Sequence, residues 1–109
     1  MSDDLNPSAI QARIKEQLLT GQVRFTVHAH QEMVEEKYSL DDVLEGLTNS
    51  ALIENYPEHK RGACALFNGK VSDGRPIHIV CTTANPMLIV ITVYEPKPPK
   101  WQTPTQRKH

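Results

Sequence analysis

Four side chains in this sequence could move a proton or hold a phosphate: His28, Arg75, His78 and Tyr94. His28 lies two positions after Thr26. Threonine favours the position that starts a helix. The positive end of a helix disfavours a charged imidazole, so a neutral histidine there could act as a general base. Arg75 could contact a phosphate with two parallel N–H groups, and His78 could donate a proton to a leaving oxygen. Tyr94 could donate a hydrogen bond to a phosphate or stack on a base.

Each of these residues also has an interpretation that needs no chemistry. His28 could lie on the surface of a helix, where Glu32, four positions on, would be an ordinary neighbour that orients its ring. Arg75 could be a solvated charge in a turn, and His78 could pack across two strands against Tyr94. The residues alone leave both interpretations open.

Metal and cofactor sites are not predicted. The rings of His28 and His30 would point to different sides of a helix, and the sequence contains no His-x3-His or Cys-x2-Cys pair. Cys64 and Cys81 lie in predicted strands, where they are expected to be small core residues. No glycine-rich phosphate loop is present. We therefore expect no metal ion and no cofactor.

The charge of the chain is divided between its two halves. The 109 residues are 39% hydrophobic and 23% charged, which is typical of one small folded domain, and their net charge is -1. The first 59 residues contain four basic and eleven acidic side chains, whereas the remainder contains eight basic and two acidic ones. Such asymmetry indicates a charged partner, so the near-neutral total does not exclude RNA.

The sequence also predicts where the chain is found. Its N-terminus has no basic and apolar signal-peptide pattern, and its longest apolar run, residues 87–93, is too short to cross a membrane. Two cysteines do not form a disulfide framework. We expect a cytoplasmic protein without a membrane partner.

Three helices are predicted in the first 50 residues. Apolar residues recur every four positions over residues 7–19. Thr26 favours the start of a second helix that extends to about Lys37. Ser39 starts a third helix, and Asp42, three positions on, completes a variant capping box.

From Ala51 the apolar period changes to two, which predicts strands joined by short turns. Such short connections favour an antiparallel meander. Helices followed by strands predict an α+β fold, with two to three N-terminal helices on one face of a four-stranded sheet. The strands are expected over residues 51–56, 62–68, 76–83 and 87–94, with residues 22–25 as a further short extended piece.

The alternation within the last two strands predicts which residues share a face. The odd positions from Ile77 to Cys81 and from Ile89 to Val93 are apolar and are expected to face the helices. His78 would then lie opposite or diagonal to Thr92 and Tyr94 on a more polar face, which could hold a phosphodiester.

The end of the chain differs in composition from the rest. Residues 1–95 are expected to form the domain, whereas residues 96–109 form a proline-rich basic tail that contains Trp101. This segment is either a free tail or an arm that orders on another surface.

Short motifs occur along the chain in a recognisable order. They are Phe25-Thr26-Val27-His28-Ala29, Met33, Ser39-Leu40-Asp41-Asp42-Val43, Leu52-Ile53-Glu54-Asn55-Tyr56-Pro57, Gly62, Gly69, Gly74-Arg75-Pro76-Ile77-His78-Ile79-Val80, Ile91-Thr92-Val93-Tyr94-Glu95-Pro96 and Trp101. Together they resemble the DUF4258 family of small bacterial proteins of uncharacterised function. The resemblance covers residues 25–101, and the first helix lies outside it.

The DUF4258 family is itself similar to the RelE and BrnT toxins, which are ribonucleases built from helices and an antiparallel sheet. The resemblance implies a RelE/BrnT-like fold and a toxin of a type II toxin–antitoxin system. It also implies a cognate antitoxin, such as one with a YgiT-type zinc finger. The family motif positions in this chain are His28, Arg75, His78, Thr92 and Tyr94.

On this resemblance we expect metal-independent cleavage of RNA. His28 would deprotonate the ribose 2'-hydroxyl, and Arg75, together with Arg61, would stabilise the phosphorane. His78 or Tyr94 would protonate the 5'-oxygen. The predicted RNA-binding residues are Arg61, Thr92 and Trp101.

The alternative is a binding module, or a toxin that has lost its activity, which engages a partner protein through the basic face of its sheet. The tail distinguishes the two hypotheses. If residues 97–108 fold over the sheet through Trp101, the predicted cleft is closed and binding is the better account. A homodimer formed through the sheet face would close the cleft in the same way.

Overall fold

A computed structural model describes residues 6–60, 62–98 and 100–107 of the chain. Arg61 lies outside the described residues. The helices are α1 (Pro7–Leu19), α2 (Val27–Glu36) and α3 (Leu40–Thr48). The strands are β1 (Val23–Phe25), β2 (Ala51–Tyr56), β3 (Cys64–Lys70), β4 (Pro76–Thr82), β5 (Leu88–Tyr94), β6 (Trp101–Thr103) and β7 (Gln106–Arg107). None of the helices in these ranges is long and apolar enough to cross a membrane.

All three helices begin at the residues that the sequence predicts. The side chain of Asn6 caps α1, and Thr26 Oγ1 accepts a hydrogen bond from Ala29 N at 3.0 Å at the start of α2. Ser39 and Asp42 form both hydrogen bonds of a capping box, at 3.0 and 2.9 Å. These contacts satisfy backbone N–H groups that have no partner within the helix.

The main sheet has five strands in the order β1-β5-β4-β3-β2. Strands β2 to β5 form the predicted antiparallel meander, but β1 adds to β5 in parallel, with Val23 opposite Leu88. The α+β class is therefore confirmed, whereas the expectation of four antiparallel strands is wrong. Strand β1 has three residues, which is too short to show an alternation of apolar and polar residues. Its partner lies 65 positions further along the chain, so the sequence gives no sign of this pairing.

The face towards the helices holds the main core. It includes Ile77, Ile79 and Cys81 of β4, all with no exposed surface. Strand β3 begins at Cys64, two residues later than predicted, and adds Ala65 and Phe67 to this core.

Strand β5 contains a bulge that changes which of its residues face the helices. Val80 pairs with Thr92, whereas Cys81 pairs with Val90, so Ile91 is an extra residue. Leu88, Val90 and Val93 therefore belong to the core, and the prediction that Ile89 and Ile91 do so is wrong. His78 lies opposite Tyr94, as predicted.

Two glycines allow α3 to lie directly on the sheet. A Cβ atom on Gly69 of β3 would lie 2.1 Å from the carbonyl oxygen of Gly46 in α3. A Cβ atom on Gly46 would lie 2.6 Å from Cγ2 of Ile77. Only residues without a side chain fit at this crossing.

The face of the sheet away from the helices is covered by the end of the chain. We call residues 96–98 and 100–107 the arm; it contains the hairpin formed by β6 and β7. Trp101 is 2% exposed and packs edge-on against His78, with ring centroids 4.5 Å apart. Leu66 and Cys64 are also buried on this face. The predicted cleft is therefore closed by the arm.

Candidate functional site

His78 and Tyr94 are neighbours beneath the arm. His78 Nδ1 lies 3.1 Å from Tyr94 Oη, and His78 Nε2 lies 2.5 Å from the carbonyl oxygen of Pro104. A carbonyl oxygen can only accept a hydrogen bond, so Nε2 carries a hydrogen and donates it. In its neutral form, the ring then accepts a hydrogen bond from the Tyr94 hydroxyl at Nδ1. Both ring nitrogens of His78 are thus held by groups of the chain itself, and the side chain has no exposed surface.

Arg75 lies on the other side of the sheet from His78. Its guanidinium stacks over the ring of Tyr38, 4.4 Å from the centroid, and Tyr38 belongs to the core between sheet and helices. Its Nη1 and Nη2 donate to the carbonyl oxygens of Glu36 and Lys37, at 3.1 and 3.0 Å. Arg75 therefore binds the carbonyl end of α2, where a helix favours positive charge.

Asp73, Tyr38 and Glu95 also surround Arg75, and Glu95 Oε1 lies 4.0 Å from Arg75 Nη1. Asp73 accepts hydrogen bonds from the Arg75 backbone N–H at 2.9 Å and from its Nε at 3.2 Å. The backbone hydrogen bond and the nearby guanidinium lower the pKa of Asp73. The Tyr38 hydroxyl donates to the carbonyl oxygen of Pro76 at 2.7 Å, and burial, together with the Glu95 carboxylate, raises the pKa of Tyr38. Tyr38 was not predicted from the sequence, because no local pattern connects it with the turn at Asp73, which lies 35 residues further along the chain.

His28 lies at the opposite end of α2 from Arg75. Its side chain is 66% exposed, and Nε2 lies 3.4 Å from Glu32 Oε1, the neighbour that the sequence suggested. His28 and Glu36 are eight positions apart, which corresponds to about 12 Å of helix. The structure therefore brings His78 and Tyr94 together but leaves His28 and Arg75 in two other places.

Of the predicted RNA-binding residues, one is half-buried, one is buried and one lies outside the described residues. Thr92 is half-buried in β5 and pairs with Val80. Trp101 is buried against His78. Arg61 is not among the described residues.

Two carboxylates of α2 close the edge of β5 beyond the end of β1. Glu32 Oε1 accepts a hydrogen bond from Val93 N at 2.9 Å, and Glu36 Oε1 accepts one from Glu95 N at 2.7 Å. Glu32 and Glu36 are four residues apart, which is a rise of about 6 Å along the helix. Their partners Val93 and Glu95 are two residues apart, about 6.7 Å along an extended chain, so the two carboxylates have nearly the same spacing as the two N–H groups. The sequence signal for this contact is the pair of acids four positions apart.

The outer surfaces of the helices carry exposed apolar side chains. Their exposed fractions are 88% for Leu19, 76% for Val27, 73% for Val34 and 51% for Leu40. A groove of about 350 Å³ is lined by Phe25, Thr26, Val27, His30, Met33 and Leu40. A second groove of about 230 Å³ is lined by Lys15, Leu18, Leu19, Leu44 and Thr48.

No group of three or more histidine, cysteine, aspartate or glutamate side chains in residues 6–60, 62–98 and 100–107 is arranged to hold a metal ion. Burial raises the pKa of the Cys81 thiol, which favours its protonated form.

The chain was also compared with known proteins. A family model described as Domain of unknown function (DUF4258) matches residues 25–95, which is more than half of the chain. Searches of curated proteins and of solved structures found no match.

Proposed function

We propose that this chain, which belongs to the DUF4258 family, is a binding module that engages a partner protein through the outer surface of its helices. The observation that carries this proposal is the exposure of Leu19, Val27, Val34 and Leu40, all of which lie on the helices. Groups of exposed apolar side chains beside grooves are typical of protein-binding surfaces.

The arm closes the predicted cleft, and this supports binding over catalysis. A nuclease would need His78 or Tyr94 to reach an oxygen of its substrate, and the arm occupies that side of the ring. The arm also covers the sheet face that the sequence suggested as a binding surface. The helices are the better candidate because their apolar side chains face outwards.

Capture of the native partner tests this proposal. The tagged chain would be used to isolate bound protein from cells that express it. The triple variant Leu19→Ser, Val27→Ser, Leu40→Ser would be compared with a control triple, Glu58→Ser, Lys60→Ser, Lys70→Ser, which changes exposed residues away from the helices. We expect the wild type and the control to retain the same partner and the helix variant to lose it. A partner that all three proteins retain would contradict the proposal.

A second candidate function is metal-independent cleavage of RNA by a toxin whose activity a cognate antitoxin blocks. It is favoured by the hydrogen bond between His78 and Tyr94, because both side chains can transfer protons. Purified chain would be incubated with RNA and a chelator, with and without ribosomes. If the arm conceals a nuclease, Trp101→Ala should cleave faster than the wild type, and adding His78→Ala should abolish cleavage. Intact RNA with both the wild type and Trp101→Ala would reject this function.

A further inference from the structure

We propose that the partner presents a basic amphipathic helix, which lies along α3 with its apolar side chains in both grooves. This inference rests on the proposed function, since it identifies the chemistry of the segment that the helical surface binds. Grooves between helices commonly bind an amphipathic helix through side chains spaced three and four residues apart.

The two grooves are parts of one surface. Leu40 lines the larger groove, while Leu44 and Thr48 line the smaller one. These three residues are four positions apart, so they form a single row along α3 of about 12 Å. Val27 of α2 lies at one end of the row and Leu18 of α1 at the other. A helix of about three turns would cover this length.

Carboxylates border this apolar row. Asp41 and Glu45 follow Leu40 and Leu44 by one position each, and both are exposed, so they form a parallel row about 100° around α3. Glu35 of α2 is exposed as well. An apolar centre with an acidic border is complementary to a segment with leucine-like side chains and flanking lysines or arginines.

The basic residues nearby do not cancel this charge. Residues 6–50 contain seven carboxylates and four basic side chains. Arg13 is turned towards the carbonyl oxygens of Ala84 and Asn85, the latter at 3.0 Å. Two of the carboxylates, those of Glu32 and Glu36, are turned towards backbone N–H groups of the sheet. Lys15 is the basic residue that lines the smaller groove.

The surface does not suit the other obvious occupants. A partner that adds a strand needs free backbone groups to pair with. Both grooves are lined mostly by side chains of the helices, so they do not offer such groups. A second copy of the chain would place its own row of Asp41 and Glu45 near that of the first, and like charges would oppose the contact. A basic helix avoids both difficulties.

Designed peptides test the inference on the full chain. The probe is a fluorescent 15-residue peptide of leucine and lysine, with leucines spaced to form one face of a helix. The control peptide has glutamate in place of every lysine. We expect the lysine peptide to bind at least about tenfold more tightly, measured by fluorescence anisotropy. Equal binding of the two peptides would contradict the role of charge.

Charge-reversal variants locate the binding surface. Glu45→Lys should weaken binding of the lysine peptide about fivefold, and Leu40→Ser should do the same. The matched control is Glu58→Lys, which makes the same change in net charge at an exposed residue outside the helices. Its affinity should stay close to that of the wild type. Equal weakening by Glu45→Lys and Glu58→Lys would show a non-specific attraction and overturn the inference.

Two further results separate this inference from the proposed function. If sedimentation shows a dimer of the chain that Leu40→Ser disrupts, a second copy occupies the surface and the inference is wrong. If the lysine peptide does not bind while the native partner is still lost from the triple helix variant, the binding function stands and the partner class is wrong. If native capture is also unaffected by the triple variant, both proposals fail.

Discussion

A buried imidazole needs a partner for each ring nitrogen, because an unsatisfied polar atom away from water costs about 1–3 kcal/mol. His78 finds these partners in two distant parts of the chain, Tyr94 on the neighbouring strand and Pro104 in the arm. The edge-on packing of Trp101 then excludes water from the ring. At the scale of the residue, His78 fastens the arm to the sheet.

Replacement of His78 by alanine should therefore loosen the arm. The change removes a partner of Tyr94 and of the Pro104 carbonyl and leaves a cavity beneath Trp101, so we expect the free energy of unfolding to fall by about 2–4 kcal/mol. Trp101 is the single tryptophan of the chain, so its fluorescence should shift to longer wavelength as it becomes hydrated. The control is His30→Ala, which alters an exposed histidine. An unchanged emission spectrum in His78→Ala would contradict this role.

Arg75 should not tolerate lysine, although the charge is retained. One ammonium cannot donate to the Glu36 and Lys37 carbonyls while stacking flat on Tyr38, as the planar guanidinium does. We expect Arg75→Lys to lower the free energy of unfolding by about 1–2 kcal/mol in urea denaturation. Arg24→Lys makes the same substitution at an exposed arginine and should have little effect. Similar losses in the two variants would show that the contacts of Arg75 contribute little.

At the scale of the elements, α2 covers part of the edge of β5, where another strand would otherwise pair. Strand β1 pairs with the first part of β5, and Glu32 and Glu36 of α2 accept the hydrogen bonds of the backbone N–H groups beyond it. An open edge of this kind favours pairing between molecules, and covering it with a helix prevents that. The fold therefore protects β5 although β1 is only three residues long.

Glu36→Ala should expose this edge. The Glu95 N–H would lose a charged acceptor, which is worth about 1.5–3 kcal/mol, and we expect a fall of that size in the free energy of unfolding. Hydrogen exchange at Glu95 should become faster, and this measurement locates the effect. Glu35→Ala, at an exposed neighbour in the same helix, is the matched control. If exchange at Glu95 is equally slow in both variants, the carboxylate does not close the edge.

Local features of the elements could be predicted from the sequence, and so could the pairing of adjacent strands that places His78 opposite Tyr94. Contacts between elements further apart in the chain could not. The cap at Thr26 and the capping box at Ser39 depend on three or four neighbouring residues, so their residue types suffice. The bulge at Ile91 depends on the partner strand, and a shift of one residue exchanges the faces of a strand. Arg75 has the composition of a phosphate contact, but its partners Glu36 and Lys37 lie almost 40 positions away.

At the scale of the whole molecule, the division of charge follows the layers of the fold. The helices carry most of the acidic side chains, and the arm is basic. The arm lies across the face of the sheet that the helices do not cover, so the sheet is enclosed on both sides. This arrangement leaves the acidic, apolar surface of the helices open to a partner.

Removal of the arm should destabilise the molecule without creating a nuclease. A chain that ends at Glu95 exposes Leu66 and His78, both buried in the full chain. Burial of one large side chain is worth about 1.5–3 kcal/mol, so we expect a fall of at least that size in the free energy of unfolding. We also expect self-association in sedimentation through the exposed apolar face. RNA incubated with the shortened chain should remain intact, since Arg75 lies on the other side of the sheet from His78 and His28 lies on the surface of α2. Cleavage by the shortened chain that His78→Ala abolishes would show instead that the arm conceals an active site.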